Sequence, residues 1–287
     1  MTCLEPTTTF RQYSGVTINT RASQYPDNIR ASQYPATHNT TALALAGTLI
    51  VMTIHSENLA GNVAVVTGAT RGIGRAVSLR LAAAGVKVYA GARSETDLQT
   101  LEQEHDHITG IPLDVADPSS VTAFAESIKD DVTFLINNAG VGVFKSIDDL
   151  TVAEWDRIFD VNVRGTFLVT QAFLAGLRQT KGHIINVTSD VSARTFANGS
   201  LYTASKYAQR AFTRALQMEV QPDGVRVTEV RPGSVATFFN DSEPQAVDDG
   251  ALGPEDVTDA ILYALTRPAR MRLDEIMFHP HGQDVEF

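Results

Sequence analysis

The chain has 287 residues, 43% of them hydrophobic, enough for one large α/β domain or two small ones. A formal net charge of −10 and a pI of about 5.1 disfavour a nucleic-acid partner, because an acidic surface repels phosphate backbones. The only cysteine is Cys3, so no intrachain disulfide can form, which fits a reducing, cytoplasmic compartment. Lysine occurs only at positions 87, 129, 145, 181 and 206. Such a lysine-poor acidic surface suits a high-salt cytoplasm and an acidic mesophilic enzyme equally.

Residues 1–51 are rich in Thr, Ser, Asn and Ala, and the hexamer Arg21–Pro26 recurs as Arg30–Pro35. Neither helical nor strand periodicity persists there, so the segment reads as a disordered extension or a mis-assigned start, with the folded domain at 52–287. Met52 is then the alternative first residue. The apolar run from Thr41 to Ile54 is shorter than the ~20 residues that a membrane helix needs. A long polar stretch also precedes it, unlike a signal peptide. No membrane anchor is expected.

Val63–Val66 is a short β-branched run and reads as a buried parallel strand. Thr67-Gly68-Ala69-Thr70-Arg71-Gly72-Ile73-Gly74 follows at once, then a helix from Ala76 to Ala84 closed by Gly85. Val86–Ala90 is the next strand. A glycine-rich turn between a strand and a helix lets backbone N–H groups approach a pyrophosphate at the positive helix end. The spacing Thr67-Gly68-x-x-x-Gly72-x-Gly74 resembles the short-chain dehydrogenase/reductase family. The resemblance implies that Thr67, Gly68, Thr70, Gly72, Ile73 and Gly74 hold a dinucleotide.

An NAD site places an acid about 20 residues further on, at the ribose 2′-hydroxyl. The chain reads Gly91-Ala92-Arg93-Ser94 there, with no acid. Arg71 and Arg93, with Ser94, instead suit a 2′-phosphate. NADP(H) is expected over NAD(H).

Glu95 to Glu104 reads as a polar helix, Ile108 to Leu113 as a strand ending in Asp114-Val115, and Val121 to Ile128 as a helix. By the resemblance Asp114 and Val115 border the adenine; Asp114 reads equally as a helix cap. Val132–Ile136 is a buried strand ending in Asn137-Asn138-Ala139-Gly140, which resembles the family's N-N-A-G motif and adds Asn138, Ala139 and Gly140 to the cofactor set. One long helix is expected from Thr151 to about Arg178, opened by the capping-box pair Thr151 and Glu154. Asn162 sits inside it against its propensity. The resemblance makes it a catalytic asparagine in a proton relay; as a residue alone it reads equally as a satisfied buried amide.

Ile184–Thr188 is the next strand, and Ser189 stands at its carboxyl end. In Leu201-Tyr202-Thr203-Ala204-Ser205-Lys206, Tyr202 and Lys206 lie one helical turn apart on one face. A fixed ammonium beside a phenol favours the phenolate, so the pair can exchange a proton near neutral pH. The Ser189 to Tyr202 spacing agrees with the family pattern, and argues against Thr188 and Ser192 in the serine's role. Val225–Val230 is a strand that runs into Arg231-Pro232-Gly233, then Ser234-Val235-Ala236-Thr237. This resembles the family's P-G-x-x-x-T and implies that Pro232, Gly233, Val235 and Thr237 hold the nicotinamide end, with Tyr202 and Lys206 beside it. Residues 238–252 read as a mobile flap over the substrate. A helix from Pro254 to about Leu265 and a strand at Glu275–Phe278 complete the chain.

The fold expected is a single Rossmann-like, doubly wound parallel sheet with helices on both faces. The activity implied is NADPH-dependent reduction of a ketone, keto acid or 3-oxoacyl carbonyl. Ser189 would hold the carbonyl oxygen, Tyr202 would protonate it, and Lys206 and Asn162 would serve the proton path. An oxidative NAD(P)-dependent alcohol, hydroxy-acid or sugar dehydrogenase is the second reading, and a non-catalytic dinucleotide sensor the third. The resemblance also implies a homodimer or homotetramer formed through the two long helices. No metal site is expected.

Overall fold

The structure is a computed structural model. It describes the backbone of residues 40–45 and 48–53, and residues 59–237, 239, 247–248 and 250–285 in full. The expectations for residues 1–39 and for most of the 238–252 flap, Phe238 included, fall outside the described residues. Strands β1 (Thr40–Leu45) and β2 (Thr48–Thr53) pair as an antiparallel hairpin. The aperiodic reading of that stretch did not include a hairpin.

A seven-stranded sheet forms the centre of the domain. In chain order its strands are β3 (Val63–Thr67), β4 (Lys87–Ala92), β5 (Ile108–Pro112), β6 (Phe134–Asn137), β7 (His183–Val187), β8 (Arg226–Pro232) and β9 (Glu275–Phe278). Their spatial order is β5-β4-β3-β6-β7-β8-β9, and every neighbouring pair is parallel. The chain winds outward from β3 to β5, then returns to place β6 on the other side of β3. That reversal opens a crevice at the carboxyl ends of β3 and β6, where open parallel sheets bind ligands.

Parallel strands joined by crossover helices are buried on both faces, which is why their sequences read as continuous apolar runs. Alternate residues supply two cores. Ala64, Val66, Ile136 and Ile185 pack on one side with α1 (Gly72–Ala83) and α7 (Pro254–Leu265), through Val77, Leu81, Val257 and Ile261. Val65, Leu135 and Ile184 pack on the other with α3 (Pro118–Ser127), α5 (Gly165–Thr180) and α6 (Ser200–Val220), through Phe124, Phe173, Leu177 and Leu216. Helix α2 (Glu95–Glu102) covers β5 and adds Leu98 and Leu101 to the first core.

The long helix expected from Thr151 is two helices. Helix α4 (Val152–Phe159) begins with the capping box of Thr151 and Glu154, as its sequence indicated. A π-helical turn, Asp160–Arg164, then separates it from α5, and the Gly165 N–H reaches back five residues to the Asp160 carbonyl. Such widened turns concentrate at functional sites. This one carries Asn162, fully buried. Gly165 lets α5 press on Val115, because a Cβ there would stand 2.8 Å from the valine side chain.

Candidate active site

The glycine loop is tighter than its sequence suggested, because α1 begins at Gly72 rather than Ala76. Gly68 and Gly72 take φ values of +63° and +53°, which only glycine adopts without strain. A Cβ on Gly74 would fall 2.1 Å from the Gly68 carbonyl oxygen, so the loop closes on itself only with glycine there. The first turn of α1 holds no acidic residue, and Arg71 at its N-cap makes no side-chain capping bond. The orphan N–H groups of that turn meet a cleft of about 430 Å³. Thr70, Arg71, Gly72 and Arg75 line one side of the cleft, and Ala236, Thr237, Pro254 and Glu255 the other. A helix end with this charge and these arginines fits a phosphate-bearing ligand.

Several of the residues expected at the cofactor brace the loops that border the crevice. The Thr67 hydroxyl accepts hydrogen bonds from the backbone N–H groups of Asn138 and Ala139, each at 3.0 Å. The Asn138 amide donates to the carbonyls of Thr67 and Gly68 at 3.0 and 3.2 Å. These bonds lock the β3 loop to the β6 loop across the crevice. Ser94 caps α2 by accepting from the Asp97 N–H. Asp114 accepts from the Ala116 N–H, while Asp117 is the N-cap of α3, so the cap reading of Asp114 does not hold. Arg93 is exposed beside them at the end of β4, and Val115 is buried. Ile73 is half-buried. Pro232 ends β8, the Gly233 N–H donates to the Phe278 carbonyl, and Val235 bridges to Leu252. Thr237 rests against Gly72, so the two loops expected to hold the cofactor's two ends meet each other.

Ser189, Tyr202, Lys206 and Asn162 converge beside this crevice. Ser189 is buried at the end of β7; its hydroxyl donates to Asp190 Oδ1 at 3.0 Å, and it faces the Tyr202 phenol. Thr188 and Ser192 both donate to Glu229 Oε1, at 2.7 and 3.2 Å, so their hydroxyls are committed elsewhere. Tyr202 and Lys206 lie on one face of α6, with the ammonium 5.7 Å from the centre of the phenol ring. Asn162 donates its amide to the Val141 carbonyl at 2.9 Å and to Ser205 Oγ at 3.0 Å, and accepts from the Val141 N–H at 2.8 Å. The asparagine is therefore a satisfied buried amide that also ties the β6 loop to α6. A Cβ on Gly140 would stand 3.6 Å from Lys206 Nζ, which brings the N-N-A-G turn directly over the lysine.

Burial dominates the proton affinities of the pair. It pushes the Tyr202 phenol up to about 12, against the Ser189 hydrogen bond and helped by the Asp190 carboxylate. It pulls Lys206 down to about 7, with Glu229 opposing. The phenol is raised rather than lowered as its spacing to the lysine suggested, because its own burial dominates.

Gln209 is the site residue that sequence reasoning missed. It is buried one turn past Lys206 and accepts from Lys206 Nζ at 2.8 Å. Its amide donates to Thr166 Oγ1 at 2.8 Å, and Thr166 donates to the Asn162 carbonyl at 2.7 Å. A glutamine on the buried stripe of a long helix, three residues after a buried lysine, was the available signal.

A parallel sheet with a glycine loop at its switch point and a serine–tyrosine–lysine–asparagine cluster alongside defines a dinucleotide-dependent oxidoreductase. The family model described as short chain dehydrogenase matches residues 62–248, and the chain belongs to that family. An uncharacterized oxidoreductase of Staphylococcus aureus strain MW2 is 34% identical over 232 residues, covering 77% of this chain and 98% of its own. A sepiapterin reductase of Chlorobaculum tepidum is 32% identical, covering 78% of this chain and 98% of its own. The solved alcohol dehydrogenase of the archaeon Thermococcus sibiricus, complexed with 5-hydroxy-NADP, is 37% identical with a TM-score of 0.74, over 79% of this chain and 99% of its own. The protein is an NAD(P)-dependent dehydrogenase/reductase. Among the described residues no helix is long and apolar enough to cross a membrane.

Proposed function

We propose that the protein reduces a carbonyl compound to an alcohol with NADPH. The observation that carries this reading is that Ser189, Tyr202 and Lys206 gather beneath the β6 loop, which is itself hydrogen-bonded to the glycine loop. When bound, reduced nicotinamide supplies a hydride to the carbonyl carbon. The Ser189 hydroxyl turns from Asp190 to donate to the carbonyl oxygen and sets its position. Tyr202 gives that oxygen a proton as negative charge develops on it. A phenol raised to about 12 is protonated at neutral pH, the form that reduction requires. Lys206 leads the replacement proton toward Tyr202, and Gln209 and Asn162 hold the lysine and the loop above it. The oxidative dehydrogenase, which needs the phenolate, is the second reading, favoured only at alkaline pH. The test is NADPH oxidation with a panel of carbonyl compounds and NADP reduction with the matching alcohols. Faster reaction in the alcohol direction at pH 7 would overturn the proposed direction.

Arg71 and Arg93 support NADP(H) over NAD(H). The double change Arg71→Ala with Arg93→Ala is expected to weaken NADPH binding by at least about tenfold and to leave NADH binding nearly unchanged, since only the 2′-phosphate loses partners. Fluorescence titration of both cofactors checks it, and equal affinity in the unaltered protein would refute the preference.

Gln209→Leu removes the Lys206 acceptor and leaves the ammonium buried with poorer solvation. The lysine then ionises less readily, and the high-pH limb of turnover is expected to move to lower pH, with about tenfold lost at pH 8. Gln209→Glu should push that limb the opposite way. An unmoved pH profile in both variants would reduce Gln209 to a packing residue.

Phe167 on α5 and Tyr207 on α6 are both exposed, which supports self-association through these helices.

A further inference from the structure

Three phenylalanines from three separate loops gather at the Tyr202 ring, two against it and the third against one of those two. Phe144, on the loop after β6, meets it edge to face at 5.3 Å between ring centres. Phe239 meets it at 5.6 Å, also edge to face. Phe196, on the loop after β7, lies 5.9 Å from Phe144, and Phe239 lies 6.4 Å from Phe144. Two glycines make the room. A Cβ on Gly142 would fall 2.5 Å from the Phe239 ring, and one on Gly199 would fall 2.3 Å from the Phe196 ring. Phe144 and Phe196 nonetheless remain 44% and 40% exposed. Aromatic faces left open to water around a reactive phenol form a surface that an apolar ligand would cover.

The charges bordering this cage point the same way. Lys145, next to Phe144, is drawn aside to Glu154 at 2.5 Å. Arg194, two residues before Phe196, places Nε and Nη2 on Asp190 Oδ2 at 2.7 and 2.5 Å. Asp190 is itself buried, so turning Arg194 toward a substrate carboxylate would cost that buried charge its arginine. Gln283 donates to that same oxygen at 3.0 Å, and its own carbonyl accepts from the Ser234 N–H at 2.8 Å. The arginine is thus clamped in a network that spans the serine loop, the loop after β8 and the carboxyl-terminal tail.

Resting on the reading of Tyr202 as proton donor, we propose that the substrate is an uncharged aryl ketone or aryl aldehyde. Its ring packs among Phe144, Phe196 and Phe239, and free keto acids are rejected. The ketone carbon takes a hydride from NADPH, its oxygen takes the Tyr202 proton, solvent restores that proton, and the products are the alcohol and NADP+.

The test compares a keto acid with its own uncharged ester, so that charge alone differs: benzoylformate against methyl benzoylformate, with 1-phenylethanone as the simple aryl ketone. The full chain with NADPH is expected to reduce the ester with a kcat/KM at least about a hundredfold above the acid, because Lys145 and Arg194 are already held by Glu154 and Asp190. Phe144→Ala and Phe196→Ala are each expected to raise KM for 1-phenylethanone about tenfold, with NADPH affinity nearly unchanged. Both side chains are substantially exposed, so these variants retain the fold, which thermal unfolding verifies. Reduction of the acid as fast as the ester, or an unchanged KM in both variants, overturns the substrate class and leaves the reductase reading intact. If no carbonyl compound is reduced and 1-phenylethanol is not oxidised while NADPH still binds, the reductase reading fails and takes this proposal with it.

Discussion

Tyr202→Phe is expected to lower turnover by about a thousandfold while NADPH binding stays within about twofold of normal. The change deletes one oxygen and leaves the ring, so the edge-to-face contacts with Phe144 and Phe239 survive. Ser189 still donates to Asp190, and Lys206 still rests on Gln209. The pocket therefore keeps its shape and loses only its proton donor. Single-turnover measurement with saturating NADPH separates this from a binding defect. Near-normal turnover would sink the assignment of Tyr202 and the mechanism built on it.

The second large effect concerns stability and comes from the sheet rather than the site. His183 opens β7, is almost wholly buried, and has its Nε2 2.8 Å from Thr228 Oγ1. The Thr228 hydroxyl already donates to the Leu273 carbonyl at 2.7 Å, so the histidine must be the donor in that bond. Its Nδ1 has no partner. Protonation would add a second buried N–H facing nothing, and burial, with Arg226 repelling the charge, depresses the ring to about 3. The unfolded chain binds this proton near pH ~6.5 and the folded chain does not. The stability attached to His183 is therefore complete above pH ~6.5 and falls as the pH drops from there toward about 3.

Between pH 7 and pH 5 the expected loss from this one residue is about 2 kcal/mol. That figure depends almost entirely on the unfolded chain, because any folded value well below 5 gives the same answer. His183→Leu removes the titrating group and leaves Thr228 bonded to Leu273. Denaturant unfolding at both pH values should show a smaller acid loss in this variant, by about 2 kcal/mol. Parallel losses in the two proteins would show that the histidine is protonated without penalty in the fold.

Much of this architecture is legible along the chain, because it rests on local rules. The buried strands announce themselves as β-branched runs, since a sheet covered on both faces leaves no polar alternation. The glycine loop is legible because its two positive φ values and its self-contact at Gly74 tolerate little else. The spacing of Tyr202 and Lys206 is legible because a helix converts sequence separation into a shared face. The break in the helix at Asp160–Arg164 was not legible. It arises where the Asn162 side chain bonds Val141 across a gap of 21 positions, and no local propensity encodes that partner.

By itself, then, the chain determined the alternation of buried strands and helices, the glycine loop, and the spacing that sets Tyr202 and Lys206 on one helix face, all of which depend on neighbours within a turn or two. Only the tertiary structure decided how those side chains behave. Proton affinity depends on desolvation and on partners far away in sequence, so spacing pointed toward an acidic phenol while burial makes it a reluctant one. The same holds for Thr67 and Asn138, which brace two loops, and for Gln209, which is an ordinary helical glutamine until folding buries its amide between Lys206 and Thr166. A hydrogen bond needs both ends brought together, and for these residues the second end is supplied by the packing of α5, α6 and the sheet.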